Sequence, residues 1–294
     1  MNVGLIDVDS HNFPNLALMK ISAYHKNKGD NVEWWNGLKH YDVVYKSRIF
    51  TDTYSTDIDY CINADQVIKG GTGYDLKNKL PDEIEHTFPD YNLYGGGYDR
   101  AYGFLTRGCF RKCPFCIVSE KEGNVHTVAD VSEFWNGQKE IMLMDSNITA
   151  SKECERHFES LIKTNAWINF EGGLDIRCLT DKGCDQLNRM KTTMIHFAWD
   201  NYEFNTYEKL KRFRPLLKAD FRHLRVYVLT NFNTTHEQDL ERVYKLKELD
   251  FDPYVMIFDK PNAPRITRLL QRWCNNKYVF RTVETFEEYD WGKA

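Results

Sequence analysis

Apolar stretches rich in β-branched and aromatic residues alternate with amphipathic stretches along most of the chain after residue 100. Short apolar runs predict buried strands, and apolar positions spaced by three or four residues predict helices. The predicted strands begin near Tyr102, Glu140, Trp167, Met194, Arg225 and Pro253. The predicted helices cover residues 128–135, 152–163, 181–190, 207–217, 237–249 and 264–275. This alternation predicts an α/β fold with parallel strands and right-handed crossovers.

Two of these helices carry a sequence signal at their start. Asn205-x-x-Glu208 and Thr234-x-x-Glu237 both have the spacing of a capping box. We therefore expect Asn205 and Thr234 to cap the helices that follow them.

The first hundred residues have a different pattern of strands and helices, which predicts a small separate α/β unit. Strands are expected at 3–8, 31–35, 42–47 and 66–69, with a helix at 15–28 that Gly29 ends. Gly70-Gly-Thr-Gly73 predicts a tight turn after the last of these strands. The expected domains are 1–90, a linker at 91–100 containing Gly95-Gly-Gly97, and 101–294 with a C-terminal helical extension.

Composition adds limits rather than a function. Of the 294 residues, 42% are hydrophobic and 28% are charged, as in soluble globular proteins. No apolar run is long enough to span a membrane, and the start lacks a signal-peptide pattern. The eight cysteines then indicate a reducing cytoplasm. A net charge of −4 gives no general attraction to nucleic acid, and the basic stretch at 209–225 is expected to be a solvated helix face.

Polar residues follow five consecutive predicted strands. Ligands of parallel α/β folds bind at the carboxyl ends of the strands. Each polar residue alone could be a helix cap or a turn residue, but five in succession predict a binding site at one mouth. They are Asp145 with Asn147, Glu171, Asp200 with Asn201, Asn231, and Asp259.

The predicted strand near Tyr102, which precedes these five, leads into the most specific motif of the chain. Cys109, Cys113 and Cys116 lie within eight residues of each other, so their thiolates could hold one metal centre. Structural zinc sites and iron–sulfur clusters normally take four protein ligands, so a set of three leaves one position vacant. A zinc knuckle completed by His126 is the alternative.

The spacing Cys109-x3-Cys113-x2-Cys116, with Phe115 before the last cysteine, resembles the signature of the radical S-adenosylmethionine superfamily. The resemblance implies a 4Fe–4S cluster whose open iron chelates S-adenosylmethionine. Reductive cleavage of that cofactor would yield methionine and a 5′-deoxyadenosyl radical. It also implies a partial (β/α)6 barrel, here preceded by a small Rossmann-like domain, and an electron donor such as flavodoxin or ferredoxin.

Further segments of 100–275 resemble the same superfamily. The common Gly-Gly-Glu of the second strand is absent, and Asp145, Asn147 and Thr149 resemble the Asp-x-Asn-x-Thr form of cobalamin-dependent relatives. The resemblance implies that S-adenosylmethionine is bound by Phe115 at the adenine, by Asp145 and Asn147 at the methionine amino group, by Arg177 at the carboxylate, and by Asp200 and Asn201 at the ribose.

The front unit resembles a shortened cobalamin-binding domain. Asp9-Ser-His11 stands where some relatives place a lower cobalt ligand, but Pro14 replaces the glycine of that motif, so we do not expect His11 to bind cobalt. Gly70 and Gly71 could line a corrin tail or could form a turn. The remaining cysteines at 61, 154, 178, 184 and 274 are expected to be packing thiols.

The sequence thus favours a radical S-adenosylmethionine enzyme of unknown substrate. Cobalamin-dependent methyl transfer and plain hydrogen abstraction both remain open, and no residue acting on the substrate is identified. A methylthiotransferase is less favoured because the front unit lacks the three extra cysteines of that family. The rival from another class is a non-enzymatic zinc or iron–sulfur module that binds nucleic acid or protein.

Overall fold

The front of the chain forms a parallel sheet with one long helix beside it. The computed structural model describes residues 1–11, 13–51, 54–57, 61–96, 99–202 and 205–289, so Gly97 of the predicted linker lies outside the described residues. The front sheet has the order β2-β1-β3-β4 and is parallel throughout. Its elements are β1 (Asn2–Asp7), α1 (Leu16–Asn27), β2 (Asn31–Trp34), β3 (Tyr41–Ser47), β4 (Ala64–Gly70) and the short α2 (Asp82–Glu85).

Local signals explain the bounds of α1. The side chain of Asn15 accepts the N–H of Leu18 at 3.2 Å, which caps the helix start. Gly29, just after the helix end, has a φ of +82°, a left-handed conformation that glycine adopts without strain. Apolar residues of α1 pack on β1 and β3 to form the front core, as Leu18 and Ile21 do against Val3. The predicted elements of the front unit are confirmed.

The rest of the chain alternates strands and helices. The first half contains β5 (Arg100–Gly103), β6 (Thr106–Arg107), α3 (Val118–Lys121), β7 (His126–Thr127), β8 (Glu140–Leu143), α4 (Cys154–Thr164), β9 (Trp167–Phe170), α5 (Asp181–Arg189) and β10 (Lys191–Thr192). The second half contains β11 (Ile195–Ala198), α6 (Thr206–Phe213), β12 (Leu224–Thr230), α7 (His236–Glu248), β13 (Asp252–Ile257), α8 (Arg265–Asn275) and α9 (Lys277–Thr282). None of the helices in the described ranges has the length and apolarity needed to cross a bilayer.

These strands form two parallel sheets that meet at one point. Their orders are β10-β9-β8-β5 and β11-β12-β13, and β6 and β7 make a separate antiparallel pair. Leu174, after β9, bridges Phe197 in β11 and donates its N–H to the carbonyl of His196 at 2.7 Å. The six predicted strands therefore neighbour each other in chain order. The α/β class is confirmed, and the partial-barrel form stays a prediction.

The two faces of these sheets differ in burial. Along β12 buried and half-buried residues alternate, with Val226 and Val228 fully buried on one face. The buried face packs with helix residues such as Phe158 and Leu161 in the main core. The opposite face carries half-buried polar and aromatic side chains, among them Asn169, His196, Tyr227 and Tyr254.

Three local predictions are wrong. Residues 128–135 form only a 3-10 turn at Val131–Glu133, because the N–H of Val128 is bonded to Leu105 and Gly137 has a φ of +107°. The helix predicted at 207–217 ends at Phe213 and gives way to a 3-10 turn containing Pro215, which has no N–H to donate. The cap of α7 is Thr235 paired with Gln238, whereas the Thr234 hydroxyl bonds to Asp239. Asn205 stands at the N-cap position of α6, but its side chain makes no capping hydrogen bond.

Candidate metal centre and cofactor site

The three cysteines lie in the loop between β6 and α3, which closes on itself through backbone contacts. The N–H of Cys109 donates to the carbonyl of Gly123 at 3.0 Å, and that of Cys116 donates to Cys113 at 3.0 Å. Gly108 has a φ of +86°, and a side chain there would lie 2.5 Å from the carbonyl oxygen of Asn124. Only glycine fits this position, so the loop is anchored at its first cysteine.

The surroundings of Cys113 bring several of the predicted site residues together. Burial raises the pKa of its thiol, and the nearby groups of Cys116, Asp200 and Cys109 raise it further, while Arg177 opposes them. The thiols of Cys116 and Cys109 therefore lie near enough to Cys113 to disfavour its thiolate form. A bound cationic centre would favour that form, and cysteine is the usual ligand of iron–sulfur clusters. The donor set fits such a cluster.

The same loop does not form a finished single-ion site. Within the described part of the chain, no three His, Cys, Asp or Glu side chains are grouped as ligands of one metal ion. His126 is exposed, and its Nδ1 lies 2.9 Å from the carbonyl oxygen of Asn124. A structural zinc site needs four ligands around one ion. The structure therefore does not join His126 to the cysteines as the zinc alternative requires.

Asn147 links the cysteine loop to the end of β8. Its amide nitrogen donates to the Sγ of Cys109 at 3.2 Å, and its carbonyl oxygen lies 3.1 Å from the hydroxyl of Thr149. The Thr149 hydroxyl also accepts the N–H of Asp175 at 2.9 Å. The segment Asp-x-Asn-x-Thr thus connects the loop, β8 and the segment after β9.

Asp145 is a buried anchor of the chain just before the cysteine loop. Its carboxylate accepts the N–H of Leu105 at 3.0 Å and the hydroxyl of Thr106 at 2.6 Å, and it also accepts the N–H of Thr106. Only 3% of the residue is exposed, and burial raises its pKa to about 6. The sequence did not indicate this positioning role. The contact of Asp145 with the methionine amino group stays a prediction.

This pKa predicts a pH dependence of stability. The folded value lies above the ordinary 3.8, so the folded protein retains a proton that the unfolded chain releases. The contribution of Asp145 is therefore complete below pH 3.8 and is lost as the pH rises through 6. A shift of this size is equivalent to about 3 kcal/mol. We expect the unfolding free energy of the wild type, relative to Asp145→Asn, to fall by about this amount across that range. Urea denaturation at several pH values measures it, and a difference that is flat or rises with pH would contradict it.

Asp175 joins the cysteine loop to the predicted carboxylate-binding residue. Its Oδ1 accepts the Nε of Arg177 at 2.7 Å, and its Oδ2 accepts the Nε of Arg111, which lies between Cys109 and Cys113. Burial raises the pKa of Asp175, but the two guanidinium groups outweigh it and hold the pKa below its usual value. Arg111 and Asp175 were not among the predicted site residues, because their pairing joins positions 64 residues apart.

Asp200 follows β11 and lies near a buried arginine of α7. Burial raises the pKa of Asp200 to about 6, against the opposing charges of Arg242 and Arg177. Arg242 is fully buried and donates to the carbonyl of Leu229 at 2.7 Å and to the carbonyl of Trp199. It also pairs with Asp239. Arg242 therefore holds the end of β12 and the carbonyl of Trp199, the residue before Asp200 and Asn201. A charged residue on the apolar face of the predicted helix was the sequence signal for it.

Phe115, the predicted adenine contact, lies in a cluster of three phenylalanine rings. The ring of Phe115 packs edge-on against Phe232 at 5.3 Å between centroids, and Phe232 packs against Phe258 at 5.0 Å. Phe258 remains 41% exposed. The two phenylalanines after β12 and β13 thus bring these strand ends to the cysteine loop.

Not every polar strand end contributes to this site. Asn231 and Asp259 have φ values of +60° and +47°, as expected of turn residues. The Asn231 amide donates to the carbonyl of Phe258 at 2.8 Å. Glu171 is exposed. The expected convergence is therefore found for Asn147 and Asp200 around the cysteines, while these other residues have turn or surface positions.

Glu122 is a site residue that sequence reasoning missed. Its carboxylate accepts the N–H of Gly108 at 2.8 Å, the hydroxyl of Ser146 at 3.2 Å and the guanidinium of Arg107 at 3.1 Å. Glu122 therefore holds both ends of the cysteine loop beside the end of β8. A glutamate in a polar loop gives no sequence signal for such a role.

The strand ends of the front sheet are filled by the protein's own groups. Both oxygens of Asp9 accept backbone N–H groups at 2.8 Å, from Ile49 and Phe50. A side chain at Gly71 or Gly73 would collide with the backbone of residues 48 and 50. The glycines thus serve a turn that packs closely on the chain itself. His11 is exposed with a φ of +48°.

One contact joins the front turn to the region of the cysteine loop. The Lys121 ammonium, at the end of α3, donates to the Thr72 hydroxyl at 2.6 Å. The side chain of Lys121 therefore connects the end of α3, after the cysteine loop, to the glycine turn of the front sheet.

Comparison with known proteins finds similarity among solved structures. No protein-family model and no curated protein sequence matches the chain. Among solved structures it is similar to the radical S-adenosylmethionine methyltransferase TsrM from Kitasatospora setae, which was solved with cobalamin and a [4Fe-4S] cluster bound. The TM-score is 0.66 at 12% identity, over 87% of this chain and 74% of that one. At this identity the similarity shows a shared fold.

Proposed function

We propose that this protein is a radical S-adenosylmethionine enzyme with a 4Fe–4S cluster bound by Cys109, Cys113 and Cys116. The observation that carries the proposal is the Cys109-x3-Cys113-x2-Cys116 loop, in which Asn147 donates to the sulfur of Cys109 and the nearby thiols of Cys116 and Cys109 raise the pKa of Cys113. The similarity of the fold to that of TsrM supports it. A flavodoxin or ferredoxin is the proposed electron donor, and the reducing cytoplasm is the proposed compartment.

The residues of the site divide the work of binding and orientation. Asn147 donates a hydrogen bond to the Cys109 sulfur, and hydrogen bonds to cluster sulfurs are one means of setting reduction potential. Arg177 is the proposed partner of the cofactor carboxylate, Asp200 and Asn201 of the ribose hydroxyls, and Phe115 of the adenine. When bound, the cluster and S-adenosylmethionine together supply the radical chemistry, and the protein orients them.

Arg177 offers a test of the cofactor site. We expect Arg177→Ala to weaken S-adenosylmethionine binding about ten- to hundredfold, because a charge-assisted hydrogen bond contributes about 1.5–3 kcal/mol. Arg177→Lys should recover only part, since lysine lacks the planar fork that pairs with a carboxylate. Equilibrium binding to the anaerobically reconstituted protein measures the affinity. Release of 5′-deoxyadenosine and methionine from the reduced protein measures the reaction.

The matched control is Arg189→Ala, which removes an exposed arginine of α5 that pairs with Glu159. Its affinity should equal that of the wild type. Unchanged affinity in Arg177→Ala would remove Arg177 from the cofactor site. Zinc in place of iron and sulfide after reconstitution, with no 5′-deoxyadenosine, would instead favour the non-enzymatic module.

Two reactions fit the proposed enzyme, and the front sheet decides between them. Cobalamin-dependent methyl transfer needs a corrin site, whereas hydrogen abstraction does not. We propose that the front sheet has kept its fold and has weakened or lost cobalamin binding. The internal bonds of Asp9 and the close packing of Gly71 and Gly73 support this, because these groups already serve the chain itself.

We therefore expect hydroxocobalamin to be lost from the purified protein on desalting. The visible spectrum before and after desalting measures retention. Stoichiometric retention would refute the loss of the corrin site and favour methyl transfer. If retention were also abolished in His11→Ala, the expectation that His11 does not bind cobalt would be wrong as well.

A further inference from the structure

The chain covers the backbone at two of its sheet edges. At β13, the N–H of Val255 donates to the side chain of Asn275 at 2.8 Å, and its carbonyl accepts the amide of Gln271 at 3.0 Å. At β5, the hydroxyl of Tyr91 accepts the N–H of Tyr102 at 3.0 Å. Side chains of neighbouring segments thus occupy backbone groups that could otherwise pair with another strand.

The edge strand β4 is different. It is the last strand of the front sheet, and residues 65–69 are all exposed, with Val67 at 38% and Ile68 at 37%. Among the described residues, the backbone of β4 accepts a long side-chain hydrogen bond, from the amide of Asn78 to the carbonyl of Lys69 at 3.4 Å. An exposed edge with apolar residues on both faces is a template for pairing with another strand.

The sequence of β4 is complementary to itself in the antiparallel direction. In Ala64–Gly70, a twofold axis at Val67 places each Asp65 opposite the partner subunit's Lys69. The two copies of Val67 then face each other between these ion pairs, because residues 65, 67 and 69 share one face of the strand. On the other face Gln66 meets the partner subunit's Ile68. Opposite charges facing each other across strands are stabilising.

We propose that two copies of this protein associate through β4, so that the front sheets join into one continuous sheet of eight strands. The charges also define the register. A shift of one residue would pair Asp65 with the partner subunit's Ile68, or with its Gly70, and would remove both ion pairs. The interface is isologous, as is usual for twofold dimers.

The contacts that Asp65 and Lys69 make within one chain are compatible with this pairing. Asp65 lies 3.1 Å from the Nε2 of His40, and both side chains are more than half exposed. Lys69 lies 5.5 Å from the ring centroid of Tyr74. The contact of Asp65 with His40 joins two exposed side chains and contributes little, so a cross-strand ion pair of Asp65 replaces it at small loss.

Charge reversal tests the proposal on the full chain. Asp65→Lys and Lys69→Asp should each weaken dimerisation at least about tenfold, because each places like charges opposite one another twice. The double variant restores opposite charges and should recover the dimer. Sedimentation velocity across about 1–100 µM protein measures the dissociation constant. Lys211→Asp, on exposed α6, is the control and should dimerise as the wild type does.

A wild type that stays monomeric throughout this range would overturn the proposal. If the double variant did not recover dimerisation, the pairing register would be refuted. If Lys211→Asp also dissociated, the loss of dimer in the single variants would be an effect of net charge and not of the proposed ion pairs. The two single variants change the net charge in opposite directions, so a shared loss of dimer supports the specific pairing.

A cross-link provides a positive test of the axis. In a Cys61→Ala background, Val67→Cys should form an intersubunit disulfide on mild oxidation, since directly opposite residues lie about 4.5–5.5 Å apart at Cα. Ile68→Cys in the same background is the matched control, because residue 68 faces residue 66 of the partner. Equal cross-linking of the two variants, or none at Val67→Cys, would contradict an axis at Val67.

Discussion

Replacing Cys109, Cys113 or Cys116 singly with alanine is expected to abolish the brown 4Fe–4S absorbance of the anaerobically reconstituted protein. Each substitution removes one of the three proposed cluster ligands, all of which lie in the loop between β6 and α3. Iron and sulfide analysis measures the content. Cofactor cleavage to 5′-deoxyadenosine should disappear together with the absorbance, because the proposed reaction depends on the cluster.

Cys61→Ala is the control, since Cys61 is an exposed thiol of the front unit. It should retain iron and sulfide as the wild type does. If the triple variant of the loop still bound four iron atoms per chain, the cluster would have to be assigned to other residues.

Arg242→Met is expected to cause the largest loss of stability without touching the cysteine loop. The substitution leaves the buried carboxylate of Asp239 without its ion pair and the carbonyls of Trp199 and Leu229 without their donor. Removing one partner of a buried ion pair typically destabilises by about 3–5 kcal/mol. Urea denaturation measures the change. S-adenosylmethionine affinity should also fall, because Arg242 holds the carbonyl of Trp199, directly before the proposed ribose-binding residues Asp200 and Asn201.

Two variants separate this effect from a general one. Arg242→Met combined with Asp239→Leu removes both charges and should recover part of the stability. Arg212→Met, which removes an exposed arginine paired with Asp181 on the surface, should change stability by less than about 1 kcal/mol. Equal stability of Arg242→Met and Arg212→Met would show that the buried pair does not hold the strand ends.

The strands were predictable because their signal is local. All six main strands of the second part begin within two residues of the predicted positions, and Trp167 matches its prediction. Apolar β-branched runs bounded by polar turns define such strands independently of their neighbours. The wrong helix at 128–135 had a helical pattern, but the contact of Val128 with Leu105, a residue distant in sequence, kept its start extended. Tertiary contacts of this kind override local preference.

The candidate site was predictable only where the motif itself carries the information. Cys109, Cys113 and Cys116 were visible from their spacing. Glu122, which holds their loop, and Arg242, which holds the neighbouring strand ends, were not, because both act through contacts with segments distant in sequence. Asp145 was singled out for its place after a strand, but the structure gives it bonds to Leu105 and Thr106 instead of an open position.

The bonds of Glu122 and Asp145 bear on the order in which the protein folds and acquires a cluster. Small zinc domains acquire their fold only when the metal arrives. Here the loop that carries the thiols is fixed by carboxylates and backbone groups, and by the glycine at 108, before any thiolate is used. We therefore expect the chain to fold first and to receive the proposed cluster afterwards. Damage to that cluster by oxygen should leave a folded protein that can be reloaded in place.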